Sequence, residues 1–375
     1  MSNVYILGGL RSPIGITNGI FKNILIEDLA SKVIKDVIDK FKLKYIEEIV
    51  LGNSVGGGGN IARLCSLNAD LNIPSYTIDM QCASSLESIA IGYSKIAAGL
   101  KDLILVGGVE STSMEPTRSY AKNHPKYSKN NKEYKVAKFS PENYDELVMI
   151  KGAERVAEKY EFTKEELDKY AIESHKKAMK ARDSKVLSDI IAPINGIIND
   201  EGIRDNINER LLSKVKPILG KGNKITAGNS CLTHDGVAIL VLCSEKYLKD
   251  NNIKGSFRIV DFEESAGNPD YSPEAALYSI NVLLKSNNLT SDDISYFEVN
   301  EAFAVISALI NKKYNINERL NIFGGALAYG HTYGASGGII TLHLLKALEV
   351  VKGKYGIASI ASAGGLGVSM LIERI

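Results

Sequence analysis

Short apolar runs alternate with amphipathic stretches twice along this chain, in the same order each time. A polar, Lys-rich stretch separates the two series. Such a pattern calls for helices layered on a sheet, because period-two and period-3.6 apolar faces bury one another in that arrangement. In the first series residues 4–10, 46–51, 75–80 and 103–109 read as strands, and residues 26–41 and 83–98 as helices. Residues 237–243 form a further buried strand. In the second series residues 257–262, 294–299, 357–361 and 368–372 read as strands, and residues 302–314 and 334–350 as helices. Ser272-Pro273-Glu274 reads as a cap and first-turn proline of another helix, running to about residue 285. The order of elements repeats although the residues barely do. The expected organisation is therefore an α/β fold of two related halves, residues 1–250 and 251–375. The first half carries an inserted domain at about residues 112–233.

The insertion differs in chemistry. Residues 112–224 hold 23 Lys+Arg against 18 Asp+Glu, an excess of five on a chain whose net charge is only +1. Thr163-Lys164-Glu165-Glu166 is a capping box, and an amphipathic helix follows to about residue 183. Residues 123–144 lack apolar periodicity and read as a long loop. The near-neutral total leaves no general footprint for nucleic acid or an anionic membrane, so neither is expected as a partner. No window reaches the length of a membrane-spanning apolar run, and the first residues lack the basic start of a signal peptide. Four Cys (Cys65, Cys82, Cys231, Cys243), with no CxxC pair, argue against a disulfide scaffold or a cysteine metal site. The expected setting is a reducing cytoplasm, and no metal or permanently bound cofactor is expected.

Five segments hold residues suited to chemistry. Cys82, in Asp79-Met80-Gln81-Cys82-Ala83-Ser84-Ser85, lies where a strand turns into a helix. Helix N–H groups there favour a thiolate and could hold an oxyanion. A buried structural cysteine would look the same locally. His331 sits in a glycine-flanked turn before a helix, at the position in the second half equivalent to the Cys82 turn. A Cys–His pair across such an axis is a kit for acyl transfer, and a histidine capping the backbone is the alternative. Asn300, beside Glu301, is at another strand-to-helix junction, where an amide can position water or simply cap the helix. The polar loop 226–236 holds Ser230 and Cys231 and could line a ligand groove. A glycine turn, Ala363-Gly364-Gly365-Leu366-Gly367, can present N–H groups or serve as a tight hairpin. Motifs of P-loop, zinc-protease, serine-hydrolase and dinucleotide sites are absent from the sequence.

Taken together these segments resemble the thiolase family over nearly the whole chain. The matching blocks are Arg11-Ser12-Pro13, Gly52-Asn53, Gly59-Asn60-Ile61-Ala62-Arg63, Gln81-Cys82-Ala83-Ser84, Gly107-Gly108-Val109-Glu110-Ser111, Thr226-Ala227-Gly228-Asn229-Ser230, Asn300-Glu301-Ala302-Phe303, Gly330-His331 and Gly334-Ala335-Ser336-Gly337. The C-terminal glycine turn extends the match to Gly367. The resemblance implies a duplicated five-layer α/β/α/β/α fold with a CoA-binding loop domain. It also implies at least a homodimer, either homodimer or homotetramer, with the tetramer region near residues 115–145. Coenzyme A would be a co-substrate. Cys82 would accept the acyl group, and His331 would activate it and help bind the thioester oxygen. Asn300 would hold a water in that oxyanion site. The backbone N–H groups of Cys82 and Ala363 would form a second oxyanion site. Arg204 would contact the CoA nucleotide, and Ser230 and Cys231 would run beside the pantetheine arm.

Several positions depart from the family pattern. The family has a cysteine acid/base where this chain has Ala361, and a glycine where it has Ala363. Thr332-Tyr333 follows His331 in place of a proline step, and Ser85 and Cys231 replace the usual Gly and Ser. Three activities are compatible with this pattern. One is making or cleaving a 3-ketoacyl-CoA. Another is acylation of Cys82 without carbon–carbon chemistry. The last is acyl-CoA binding without catalysis.

Overall fold

The computed structural model describes residues 2–130, 133–134, 136–141 and 146–375. The first half runs β1 (Val4–Arg11), β2 (Gly15–Ile16), α1 (Ile26–Phe41), β3 (Glu48–Gly52), α2 (Ile61–Asn68), β4 (Ser75–Ile78), α3 (Ser84–Ala97) and β5 (Leu103–Glu110). Three helices follow: α4 (Val148–Lys159), α5 (Lys164–Ser184) and the short α6 (Glu209–Leu212). The chain then rejoins the sheet as β6 (His234–Ser244), with α7 (Glu245–Asp250) after it. The second half runs β7 (Phe257–Ala266), α8 (Ala275–Ser286), β8 (Tyr296–Val299), α9 (Ala304–Tyr314), α10 (Ala326–Tyr329), α11 (Ser336–Val351), β9 (Tyr355–Ser362) and β10 (Leu366–Arg374).

The strands form one hydrogen-bonded path, β4-β3-β5-β6-β1-β7-β10-β9-β8. The halves join where Val4–Ile6 of β1 pair with Ile259–Phe257 of β7. Each half pairs two strands in parallel (β3 with β5, β8 with β9) and then turns antiparallel (β5–β6, β9–β10). Side chains alternate across the sheet. Leu103, Leu105 and Val109 face an outer core with α1 and α2, and Ile104 and Val106 face a central core. The central core holds α3 and α11 between the two halves. A third core packs α8 and α9 on the far face of the second half. Three cores between alternating helix and strand layers give the five-layer order α/β/α/β/α.

The residues from 333 to 351, including α11, are apolar enough to cross a membrane (mean hydropathy 1.3). They are 78% buried, as a helix covered by sheet on both sides must be. Thr163 forms the capping box that starts α5. The proline reading differs from the structure. Asn268 caps a tight turn beginning at Pro269, with Pro273 inside it, and α8 starts only at Ala275. The hydroxyl of Ser272 instead donates to Pro269 O (2.7 Å) and accepts from Gly365 N–H (3.0 Å), fixing the glycine turn. The loop expected at residues 123–144 falls partly outside the described residues. Its described part carries a bridge between Arg118 and Tyr134.

Candidate active site

Three turns meet at the base of the central helices. Gln81, in the left-handed region (φ 53°), turns the chain sharply after β4 and delivers Cys82 just before α3. Ser84 locks the turn by donating to Gln81 O (2.6 Å) and accepting from Met80 N–H (2.9 Å). Ser362, at the end of β9, donates to Met80 O (2.7 Å) and ties the glycine turn to the Cys82 turn. The N–H groups of Ala363 and of Cys82 itself face the Cys82 sulfur.

Cys82 is buried, and burial pushes its thiol up to about 12 against the pull of those two N–H groups. Burial thus opposes the thiolate that the helix start favours. Cys82 precedes Ala83, the N-cap of α3, and desolvation outweighs the dipole.

His331 reaches the same region from the second half. Gly330 before it has φ 102°, and a Cβ there would lie 2.1 Å from the His234 ring, so only glycine fits. The His331 Nδ1 is 2.7 Å from Ser336 Oγ, and its Nε2 is buried without a partner. Burial, and then His234, push the imidazole down to about 3, so it is neutral. Tyr333 stands edge-on to the ring, with centroids 4.9 Å apart. Cys231 and Cys82 both bear electrostatically on its phenol. Gly334 O lies where a Cβ on Gly52 or Gly108 would sit, and Gly338 N–H donates to Ser85 Oγ (3.0 Å). The starts of α3 and α11 thus interlock, which brings the Cys82 and His331 turns together. Glu110 staples them by accepting from Gly334 N–H (3.0 Å) and Ser54 N–H (2.9 Å).

Asn300 follows β8, with its N–H on Ser359 O (2.9 Å) and its side-chain Nδ2 buried and unpartnered. Its neighbour Glu301 accepts from Ser174, Ser307 and Asn321 and is tied down. The loop before β6 links the parts: Ser230 bridges to Phe303 and Thr233 to His331. Arg204 and Ser230 line one cavity of about 130 Å³ with His175, His234 and Leu327. Arg204 is held there by its N–H on His175 Nδ1 (3.1 Å). Its segment is anchored by Asp200, which takes a bidentate ion pair from buried Arg11 (2.7 and 2.8 Å). Cys231 lies nearer the Cys82 side, and burial, with Cys82 adding to it, pushes its thiol up. His175 and His234 had no distinguishing signal in the sequence. Among the described residues, no group of three or more His, Cys, Asp or Glu side chains is placed to hold a metal.

A buried thiol, a neutral imidazole with an open nitrogen, an unpartnered amide and an adjoining cleft with an arginine at its wall suit acyl transfer from a thioester. Comparison with known proteins agrees. Residues 4–246 match the model of the thiolase N-terminal domain, and residues 253–374 that of the thiolase C-terminal domain. YhfS of Bacillus subtilis, provisionally named an acetyl-CoA C-acetyltransferase, is 33% identical over 99% of both chains. VraB of Staphylococcus aureus, named in the same way, is 35% identical over the full length of both. The Bacillus anthracis acetyl-CoA acetyltransferase superposes with a TM-score of 0.94 at 29% identity, covering 100% of this chain and 99% of that one. Human mitochondrial 3-ketoacyl-CoA thiolase superposes at 0.91 and 28%, with the same coverage. The chain belongs to the thiolase family of CoA acyltransferases.

Proposed function

We propose that the protein is a thiolase that makes or cleaves a 3-ketoacyl-CoA, most simply acetoacetyl-CoA, through an acyl-Cys82 intermediate. The observation that carries this is the meeting of the buried Cys82 turn with the His331 turn, where His331 Nε2 has no protein partner. In cleavage, the Cys82 sulfur attacks the 3-keto carbon while its proton passes to His331 Nε2. The bond between C2 and C3 breaks, leaving the acyl group on sulfur and acetyl-CoA as its enolate, which takes the proton held by His331. The thiol of a second CoA then attacks the acyl-Cys82 carbonyl, and the thiol of Cys82 is restored. His331 is neutral at rest, which leaves a ring nitrogen with a lone pair for that proton. Asn300 Nδ2 and the N–H groups of Cys82 and Ala363 are the donors available to oxygens that gain charge. Arg204 and Ser230 line the cleft proposed for CoA, with Cys231 beside the reactive end. We also propose at least a homodimer, since β4 is an edge strand of the sheet and leaves one side of its backbone open to a second copy.

Ala361 favours a second reading, acylation of Cys82 with transfer to a thiol or water only. Its methyl group lies in the second-half core with no proton to give or take, at the position where the family resemblance places an acid/base cysteine. The deciding experiment is CoA-dependent thiolysis of acetoacetyl-CoA, with Cys82→Ala as blank. Turnover above the blank supports the thiolase reading. Acyl-enzyme formation without turnover supports the second reading, and there Ala361→Cys should raise thiolysis by about 10²–10⁴-fold.

A further inference from the structure

Between Asn300 and the start of α11 lies a small cavity of about 20 Å³. Glu298, Asn300, Tyr329, Ser336 and His343 contribute to its wall. Glu298 Oε1, Asn300 Nδ2 and His343 Nε2 are all buried and have no hydrogen-bond partner in the protein. The three residues are 1%, 2% and 2% exposed. Buried polar atoms in native proteins are almost always satisfied, and three orphans around one cavity point to a shared partner. A single water needs roughly 10–15 Å³ and two to four polar contacts, so this space suits one water and nothing larger.

We propose that this cavity binds one structural water, held by Glu298 Oε1, Asn300 Nδ2 and His343 Nε2. Glu298 and His343 are then positioning residues that act through the water on Asn300. The inference rests on the acyl-transfer reading for its effect on rate, and on geometry alone for the site.

Hydrogen-bond bookkeeping closes around such a water. Burial, and then Glu301, hold the Glu298 carboxyl well above the usual carboxylate range, so it donates. Burial, and then Arg11, keep His343 neutral, and the tautomer with its proton on Nδ1 leaves Nε2 to accept. The water accepts from Glu298 and from the Asn300 amide and donates to His343. Ser336 Oγ, on the same wall, is already taken by Thr332 N–H (3.1 Å) and His331 Nδ1 (2.7 Å). One molecule thereby fixes the angle of the Asn300 amide.

The test pairs crystallography of the full-length protein with kinetics. The wild type should show one ordered water within hydrogen-bond reach of the three atoms. His343→Leu removes the acceptor. It should lose the water, let the Asn300 amide rotate, and lower kcat for acetoacetyl-CoA thiolysis by roughly 10- to 100-fold with KM nearly unchanged. His343→Gln restores an acceptor and should recover most of kcat. Glu298→Gln, which keeps a neutral donor, should stay near the wild type, and Glu298→Met should behave like His343→Leu. The Glu298 pair decides the question where His343→Leu does not fold. No density at the site in the wild type, full kcat in both apolar variants, or Gln variants no better than apolar ones would each overturn the proposal. If the wild type has no thiolysis activity, the function reading fails on its own. The water and the Asn300 rotamer then decide this proposal from the crystals.

Discussion

Alkylation of Cys82 by iodoacetamide gives the most direct test of its resting state. With the thiol near 12 against about 8.5 for a free cysteine, roughly three thousand times fewer thiolates are present at neutral pH than in a free cysteine. A more basic thiolate is also a better nucleophile. With a Brønsted slope of about 0.4–0.5, the gap of about 3.5 units returns a factor of roughly 25–55. The net expectation is alkylation about 10²-fold slower than free cysteine, before any steric hindrance. Because the thiolate is the reacting form, the logarithm of the rate should climb with unit slope from neutrality up through pH values well above 8.5, with no plateau. Rates should be read at Cys82 by peptide mass, because burial also pushes the Cys65 and Cys243 thiols up to about 12. A flat rate across neutral pH, equal to or faster than free cysteine, would mean a standing thiolate–imidazolium pair and would refute the neutral-pair reasoning.

His331→Ala should slow acylation of Cys82 by acetyl-CoA about 10²–10⁴-fold while far-UV circular dichroism stays the same; an unchanged acylation rate would remove His331 from the proposed chemistry. Gly330→Ala forces an L side chain into a left-handed turn against the His234 ring. It should cost about 1–3 kcal/mol in denaturant unfolding, more if the ring cannot move, and should slow acylation. Asp200→Ala leaves the fully buried guanidinium of Arg11 unpaired and should cost about 3–5 kcal/mol. It should also weaken CoA binding, through the segment that carries Arg204; a loss below about 1 kcal/mol would show that the pair is replaceable.

The layered architecture was legible because its signals are local: unbroken apolar runs for the buried strands β5 and β6, helical spacing in α1, and the capping box of α5. The helix α4 was not, although its apolar face (Val148, Ala153, Val156, Ala157) contrasts with its polar one as clearly as in α1, because it directly follows the polar stretch read as a loop. The short α2 follows a glycine run and depends on Asn60, whose side chain accepts from Arg63 N–H. At the site, Cys82, His331 and Asn300 stood out because turn chemistry and the family resemblance both marked them. The thiol's protonation could not be read from sequence, since it is set by burial between two halves far apart in the chain. Glu298 and His343 were equally silent. One looks like a strand residue and the other like a helix residue, and only packing brings their unpartnered atoms to one cavity.

The duplication itself explains why one of two equivalent amides is free. In β3–β5 the register pairs Gly52 with Gly108, and in β8–β9 it pairs Val299 with Ser359. The next residues, Asn53 and Asn300, are therefore counterparts, and two positions past the other partner so are Glu110 and Ala361. The neighbouring strands agree, since Glu110 pairs with Gly236 and Ala361 with Gly367. In the first half the Glu110 carboxylate accepts from Asn53 Nδ2 (2.8 Å), and that amide is spent on structure. In the second half the methyl group of Ala361 can accept nothing, and Asn300 Nδ2 keeps its hydrogens. Position 361 is thus where the two halves part in chemistry: a carboxylate there makes a staple, and a residue without an acceptor leaves a donor free for an oxyanion. On the second reading proposed above, what Ala361 removes is confined to proton transfer, and the amide available for acylation of Cys82 is kept.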